Sequence, residues 1–151
     1  MRVPVVVALL LLVAGCEDIR RFEGVWVGSV SPDPAHQHGF GNTAFLRATV
    51  TSASRRSIDL SVELPQSGAS VPFEPIRHAA DDALGDLRIE GEPLRTFLGF
   101  LRPADGSSYL AVVSLFAEDR IDVRLIRGPD DAYGVFSLRR ALSQPVDAGS
   151  H

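Results

Sequence analysis

The sequence places two histidines one residue apart, His36 and His38, with Asp33 shortly before them. Alternate side chains of an extended segment point to the same side, so two imidazoles at this spacing could bind one Zn²⁺ or Cu²⁺ ion. A competent site needs a third ligand, and the sequence does not indicate one. The prolines and glycines around the pair favour an exposed polar loop over a metal centre.

A third histidine, His78, precedes Asp81 and Asp82 at a spacing that would bring an imidazole near carboxylates on a helical turn. Such a pair can act in general acid–base catalysis inside a cleft, although a solvated turn is the favoured interpretation. The sequence contains no nucleophile elbow, phosphate-binding loop, dinucleotide fingerprint or His-Glu-x-x-His motif. We therefore expect a non-catalytic protein without a cofactor.

Composition excludes several further classes of function. The formal net charge is -4, and no basic stripe is present, so the chain lacks the electrostatic character of a nucleic-acid-binding protein. All 15 basic residues are arginines, which excludes Schiff-base chemistry and phosphate-loop lysines. The length of 151 residues suits one domain with a single core.

The single cysteine, Cys16, follows a segment with the features of an export signal. Residues 1–15 begin with a positive charge at Arg2, continue with an almost wholly apolar run from Val3 to Val13, and end in two small residues. The apolar run is shorter than the roughly 20 residues that span a bilayer. One cysteine cannot form an internal disulfide, so the core must hold together by packing.

Val13-Ala14-Gly15-Cys16 resembles the lipobox of bacterial lipoproteins. The resemblance implies that the chain is cut before Cys16 and that this cysteine carries a diacylglycerol and, usually, an amide-linked acyl chain. Two or three acyl chains hold a protein durably on a membrane. We therefore expect a cell-envelope protein anchored through Cys16 and facing the periplasm, on the inner or the outer membrane; the alternative is an ordinary signal peptide.

The remaining chain alternates apolar with polar residues in short segments, which predicts β-strands with one buried face. The clearest case is 57–64, and Pro72 and Pro75 make 71–76 either an edge strand or a loop. Segments 94–101 and 109–116 are apolar on both faces, which indicates cover on both sides. The predicted strands lie at 24–30, 43–51, 57–64, 71–76, 94–101, 109–116, 120–127 and 133–140, with a further alternation at 86–90.

Short links force neighbouring strands to run antiparallel. The predicted fold is all-β, a small antiparallel up-and-down β-barrel of about eight strands, because closure removes exposed edges; a β-sandwich is the alternative. In this organisation residues 1–15 are the signal peptide, 16–23 the lipidated tether, 24–142 the barrel domain and 143–151 a flexible tail.

Gly24-Val25-Trp26 opens the first predicted strand, and Arg139-Arg140 ends the last. This pairing resembles lipocalin-type (calycin) barrels, which implies that Trp26 fills one end of the barrel and that Arg140 stacks on it. The long loop Ser31 to Asn42 falls where that family carries its lid loop. The further motifs of the family are not evident, and Trp26 is otherwise a core aromatic of an unrelated β domain.

These elements give two expectations about function. If the barrel is open, it binds a small apolar or amphipathic ligand, with the 31–42 loop at its mouth. If the interior is packed, the protein is a structural lipoprotein or contacts another envelope protein, and has no ligand cavity. The inward-facing residues proposed to contact a ligand are Leu46, Leu60, Val62, Val123 and Phe136.

Overall fold

The computed structural model describes residues 18–65, 67–76, 91–128 and 131–142. They form a closed barrel of eight antiparallel strands with one short extra strand, which confirms the barrel and excludes the sandwich. The predicted alternation at 86–90 and the predicted tail lie outside the described residues. The strands are β1 (Gly24–Ser29), β2 (Gln37–His38), β3 (Phe45–Ala53), β4 (Ile58–Glu63), β5 (Ser70–Pro75), β6 (Arg95–Leu101), β7 (Tyr109–Phe116), β8 (Arg120–Gly128) and β9 (Ala132–Arg140).

Apart from β2, each strand pairs antiparallel with the strands before and after it, and β1 pairs with β9 to close the wall. Trp26 lies opposite Arg140 and Val27 opposite Arg139 at this seam. The two backbones approach closely, because a Cβ at Gly28 would lie 2.0 Å from the carbonyl oxygen of Ser137. Glycine is therefore required at this position for the barrel to close.

The alternation of the sequence becomes the inside and outside of the barrel. In β4 the side chains of Ile58, Leu60 and Val62 are buried, while Asp59 between them is exposed. The inward residues of all eight wall strands join one hydrophobic core, which also receives Ile19 and Phe22 from the segment before β1. Burial of this inward set is the main stabilising contribution to the fold.

The prediction of cover on both faces is right for β7 and wrong for β6. Val112, Ser114 and Phe116 on the outer face of β7 are buried along with its inward residues. In β6 only the inward set is buried, and Leu98 and Phe100 on the outer face are partly exposed. The apolar character of 94–101 therefore does not by itself mean that both faces are covered.

The structure places β5 inside the wall, between β4 and β6, and not at an edge or in a loop. Ser70 to Pro72 pair only with β4, and Phe73 to Pro75 pair only with β6. In these registers every β5 residue is paired with only one of the two neighbouring strands. Each proline lacks an amide hydrogen, so it removes a hydrogen-bond donor toward one neighbouring strand at most. This division explains how a strand with two prolines fits within a closed sheet.

The carboxylate of Asp122, on the outer face of β8, should make the stability of the fold depend on pH. Burial raises the pKa of Asp122 above the ordinary 3.8, and the hydrogen bond from Ser137 and the charge of Arg120 oppose this shift only in part. The Ser137 hydroxyl donates to Asp122 Oδ1 at 2.9 Å, and Arg120 Nε lies 3.1 Å from the same oxygen.

The folded state therefore holds the Asp122 proton more tightly than the unfolded state, so stability is lost as pH rises from 3.8 through the raised folded pKa. We expect wild type to lose stability relative to Asp122→Asn over that window in denaturant titrations. Asp105 is the control, because the hydrogen bonds from Ser107 lower its pKa. Wild type should therefore gain stability relative to Asp105→Asn as pH rises. Parallel curves for wild type and Asp122→Asn would contradict the assignment.

Candidate functional site

One end of the barrel, called here the closed end, is covered by a short 3-10 helix, η1 (Ile19–Phe22). The Asp18 side chain caps η1 by accepting from the Arg20 amide at 3.0 Å. Phe22 is fully buried and stacks on Trp26, with ring centroids 5.7 Å apart. The indole Nε1 of Trp26 donates to the carbonyl oxygen of Phe22 at 2.8 Å, so the polar atom of this buried ring has a partner.

Arg140 completes the closed end. Its guanidinium carbon lies 4.6 Å from the centroid of the Trp26 ring, within cation–π distance. Its Nη1 donates to the Glu23 carbonyl oxygen at 2.9 Å, and its Nη2 donates to that of Arg21. The structure thus brings together the two residues that the sequence proposed as a barrel-closing pair, and their contact ties the last strand to the segment before the first.

The opposite end, called here the loop end, carries the 31–42 loop and the 102–108 turn. The loop contains a second 3-10 helix, η2 (Pro34–His36), and β2, which pairs with β9 through Gln37 opposite Gly134 and His38 opposite Tyr133. β1 pairs with β9 in the half of the wall next to the closed end, and Val30 makes a last bridge to Phe136. Between the end of β1 and the loop end, the loop therefore takes the place of β1 beside β9 in the wall of the barrel.

Phe40 fastens this loop to the core. Its ring is buried and meets Phe136 edge to face, with centroids 5.4 Å apart and planes at 84°. A Cβ at Gly134 would lie 2.7 Å from the Phe40 ring, so the glycine makes the space that the ring occupies. Sequence reasoning missed Phe40, although a single aromatic residue within a polar, glycine-rich loop is a usable signal.

We expect Phe40→Ala to release the loop without unfolding the barrel. The edge-to-face pair itself contributes about 0.5–1.5 kcal/mol, and the loss of burial adds to it. The amides of Gln37 and His38 should lose protection from hydrogen exchange. Phe45→Ala is the matched control, since Phe45 lies at the same end but is 53% exposed, and it should leave exchange unchanged. Unchanged protection in Phe40→Ala would show that β2 holds the loop alone.

The five residues proposed from the sequence to contact a ligand all face the core. Each is buried, and none is more than 5% exposed. Val62, on β4, neighbours Val71 across the strand pair, and Val123, on β8, lies opposite Phe136 on β9. A cavity large enough for a ligand would leave its lining side chains with surface that water can touch, and these five have almost none. They are Leu46, Leu60, Val62, Val123 and Phe136.

The proposed histidine pair does not lie in one extended segment. His36 ends η2, and its Nδ1 is 3.4 Å from Asp33 Oδ2, while His38 belongs to β2. Asp33 caps η2, since its Oδ1 accepts from the Ala35 amide at 2.9 Å. Across the described part of the chain, no group of three or more His, Cys, Asp or Glu side chains is placed to hold a metal ion.

Cys16, His78, Asp81 and Asp82 lie outside the described residues. Neither of the described helices has the length and apolar character needed to cross a membrane. No family model, curated protein or solved structure matches the chain. The closed eight-stranded barrel is consistent with a calycin-like fold. The regions considered for function are therefore the closed end, the loop end and the interior of the barrel.

Proposed function

We propose that this chain is a lipid-anchored, non-catalytic protein of the bacterial cell envelope, whose barrel is a packed support for contact with another envelope component. The observation that carries this proposal is the burial of the inward side chains. Leu46, Val62, Val123 and Phe136 have no exposed surface at all. Large apolar side chains packed in this way stabilise a fold but leave no space for a ligand.

The anchor is proposed from the lipobox resemblance at residues 13–16. The first described helix, η1, begins at Ile19, three positions after Cys16. A lone cysteine with no possible internal disulfide partner is otherwise unexplained in an exported chain. Envelope location and attachment through Cys16 follow from the same assignment.

Carriage of a small apolar or amphipathic ligand is the second candidate, and the 31–42 loop favours it. The loop is joined to β9 by a strand of only two residues and to the core by Phe40. Movement of Phe40 away from Phe136 would open the barrel beside Val123, one of the residues proposed to contact the ligand. In this alternative the packed interior is the closed state of a carrier.

Cys16→Ser tests the anchor. Expressed with its own signal in a bacterial host, wild type should sediment with membranes and carry the added mass of its acyl chains. The variant should lose both, because serine has no thiol to receive the diacylglycerol. Glu17→Gln is the control, since it alters the neighbouring residue and keeps the cysteine. Wild type without acyl mass would overturn the proposed anchor.

Native mass spectrometry separates the packed barrel from the carrier. Protein extracted gently from its own envelope should give the mass of the acylated polypeptide alone, before and after incubation with phospholipids and fatty acids. A copurified small molecule in stoichiometric amount would support the carrier and identify its ligand class. Chemical cross-linking in intact cells, followed by mass spectrometry, should then identify the envelope component that the packed barrel contacts.

A further inference from the structure

One outer face of the barrel is covered. Val112, Ser114 and Phe116 point outward from β7, yet they are only 1%, 3% and 1% exposed. Arg124 of β8 lies opposite Val112, Val135 of β9 lies opposite Arg124, and both are also buried. Outward side chains of a single-layer wall touch water unless something lies over them. This burial arises within one polypeptide, so part of the chain itself lies over these five residues, called here the outer β7–β9 face.

The connection between β5 and β6 starts and ends beside this face. A Cβ on Gly91 would lie 3.3 Å from the Phe116 ring, so Gly91 packs on the outward side of that residue. At the other end of the connection, the Ile76 amide donates to the Leu98 carbonyl oxygen of β6 at 2.8 Å. Residues 77–90, which lie outside the described residues, therefore begin beside β6 and end against β7.

The connection is long enough to reach the middle of the face and return. Val112 lies four residues along β7 from Phe116, which is about 13 Å at the rise of a β-strand. The fourteen residues 77–90 span at most about 50 Å when extended, so they can cover this distance in both directions.

The composition of 77–90 suits a face that is both apolar and basic. Buried apolar side chains surround Arg124, and Arg120 and Arg124 on the outer side of β8 outnumber Asp122. The segment carries four carboxylates against two arginines, so its net charge is opposite to that of the face. Its apolar residues are Ala79, Ala80, Ala83, Leu84, Leu87 and Ile89.

The two terminal segments outside the described residues are less suited to cover the face. The tail 143–151 follows Leu142, which is 93% exposed, and it has one large apolar residue, Val146. The N-terminal segment is apolar only within 1–15, which the sequence predicts to be removed on export. The β5–β6 connection is retained in the processed chain and is bounded on both sides by this face.

We propose that residues 77–90 pack on the outer β7–β9 face as a second layer over the wall, with apolar residues of the segment over Val112 and Val135. The inference goes beyond the proposed function and does not depend on the anchor at Cys16. It removes one side of the barrel from the surface open to another protein. Contact with an envelope component then uses the remaining surface, which includes the loop end.

Two neighbouring residues of β7 provide the test. Val112 and Val113 are each 1% exposed, but Val112 faces outward and Val113 belongs to the core. Val112→Cys and Val113→Cys are made separately in the full chain, and maleimide labelling of the folded protein is timed on the tryptic peptide that contains each new cysteine. Label on Cys16 is thereby kept out of the rate. Both positions should label far more slowly than Thr51→Cys, at an exposed position of β3.

The cover is then weakened by Leu84→Ser/Leu87→Ser/Ile89→Ser. Labelling of Val112→Cys should become faster by about tenfold or more, because the segment opens with a lower free-energy cost. Labelling of Val113→Cys should stay slow, because the barrel remains folded. The ratio of the two rates therefore measures loss of the cover separately from unfolding of the barrel.

The single variants Leu84→Ser and Leu87→Ser repeat the comparison with a smaller change in packing, in case the triple variant unfolds. Leu142→Ser is the matched control, since it alters an exposed leucine beside the tail and should change neither rate. Rapid labelling of Val112→Cys in the otherwise wild-type chain would overturn the proposal, because the face would then be open. A ratio of the Val112→Cys and Val113→Cys rates that stays constant in all the segment variants would overturn it as well.

Discussion

Trp26→Ala is expected to lower the free energy of unfolding by about 3–5 kcal/mol, the range for truncating a large buried aromatic residue. Trp26 is fully buried, stacks on Phe22 and receives the Arg140 guanidinium on its face. Its removal leaves a cavity at the closed end and deprives η1 of the surface on which it packs. Denaturant unfolding followed by far-ultraviolet circular dichroism measures the loss, because the variant has no tryptophan fluorescence.

Val25→Ala is the matched control for this prediction. Val25 is the preceding residue of β1, faces outward and is only partly buried, so its truncation should cost about 1 kcal/mol or less. An equal loss of stability in the two variants would contradict the prediction, because Trp26 would then contribute no more than a partly buried residue of the same strand.

The Arg140 contribution can be separated by a double-mutant cycle. Arg140→Met keeps much of the stem that packs on the ring and removes both the cation and the donors to the Arg21 and Glu23 carbonyls. Combined with Trp26→Leu, which removes the aromatic ring, the cycle should give a coupling of about 0.5–2 kcal/mol for the cation–π contact. A coupling of zero would mean that Arg140 acts only through its hydrogen bonds to the carbonyls.

The barrel could be predicted because alternation fixes the inward face of each strand and short links fix antiparallel order. The contact between Trp26 and Arg140 could be proposed only from a resemblance, since the two lie 114 positions apart in the sequence and no local pattern joins them. The short strand β2 was missed because two residues are too few to display a period. Phe40 was missed for a different reason, because its role depends on the space beside Gly134, which is distant in the sequence.

Two sequence expectations failed for identifiable reasons. Proline was taken to exclude a central strand, but β5 divides its pairing so that Pro72 faces β4 and Pro75 faces β6. The spacing of His36 and His38 assumed an extended segment, but the capping of η2 by Asp33 makes His36 part of a helical turn. For β5 the pairing between strands determined the outcome, whereas for His36 the local capping of a helical turn determined it.

Phe136→Ala is the second large-effect prediction, and it tests whether the interior is packed. Phe136 is fully buried between Val123 on the neighbouring strand and Phe40 of the loop. In a packed barrel its truncation should cost about 3–5 kcal/mol and leave an apolar cavity. In a barrel that keeps an open cavity, where this ring would line an existing space, few contacts would be lost and the cost should be well below that range.

Xenon binding gives a second measure of the same difference. An apolar cavity of this kind stays dry and binds xenon, so Phe136→Ala should bind it and wild type should not. Phe136→Leu, which preserves most of the volume, should cost less than about 1.5 kcal/mol and bind little xenon. Xenon binding by wild type, together with a small cost for Phe136→Ala, would contradict the packed barrel and indicate an interior cavity that is open without a ligand.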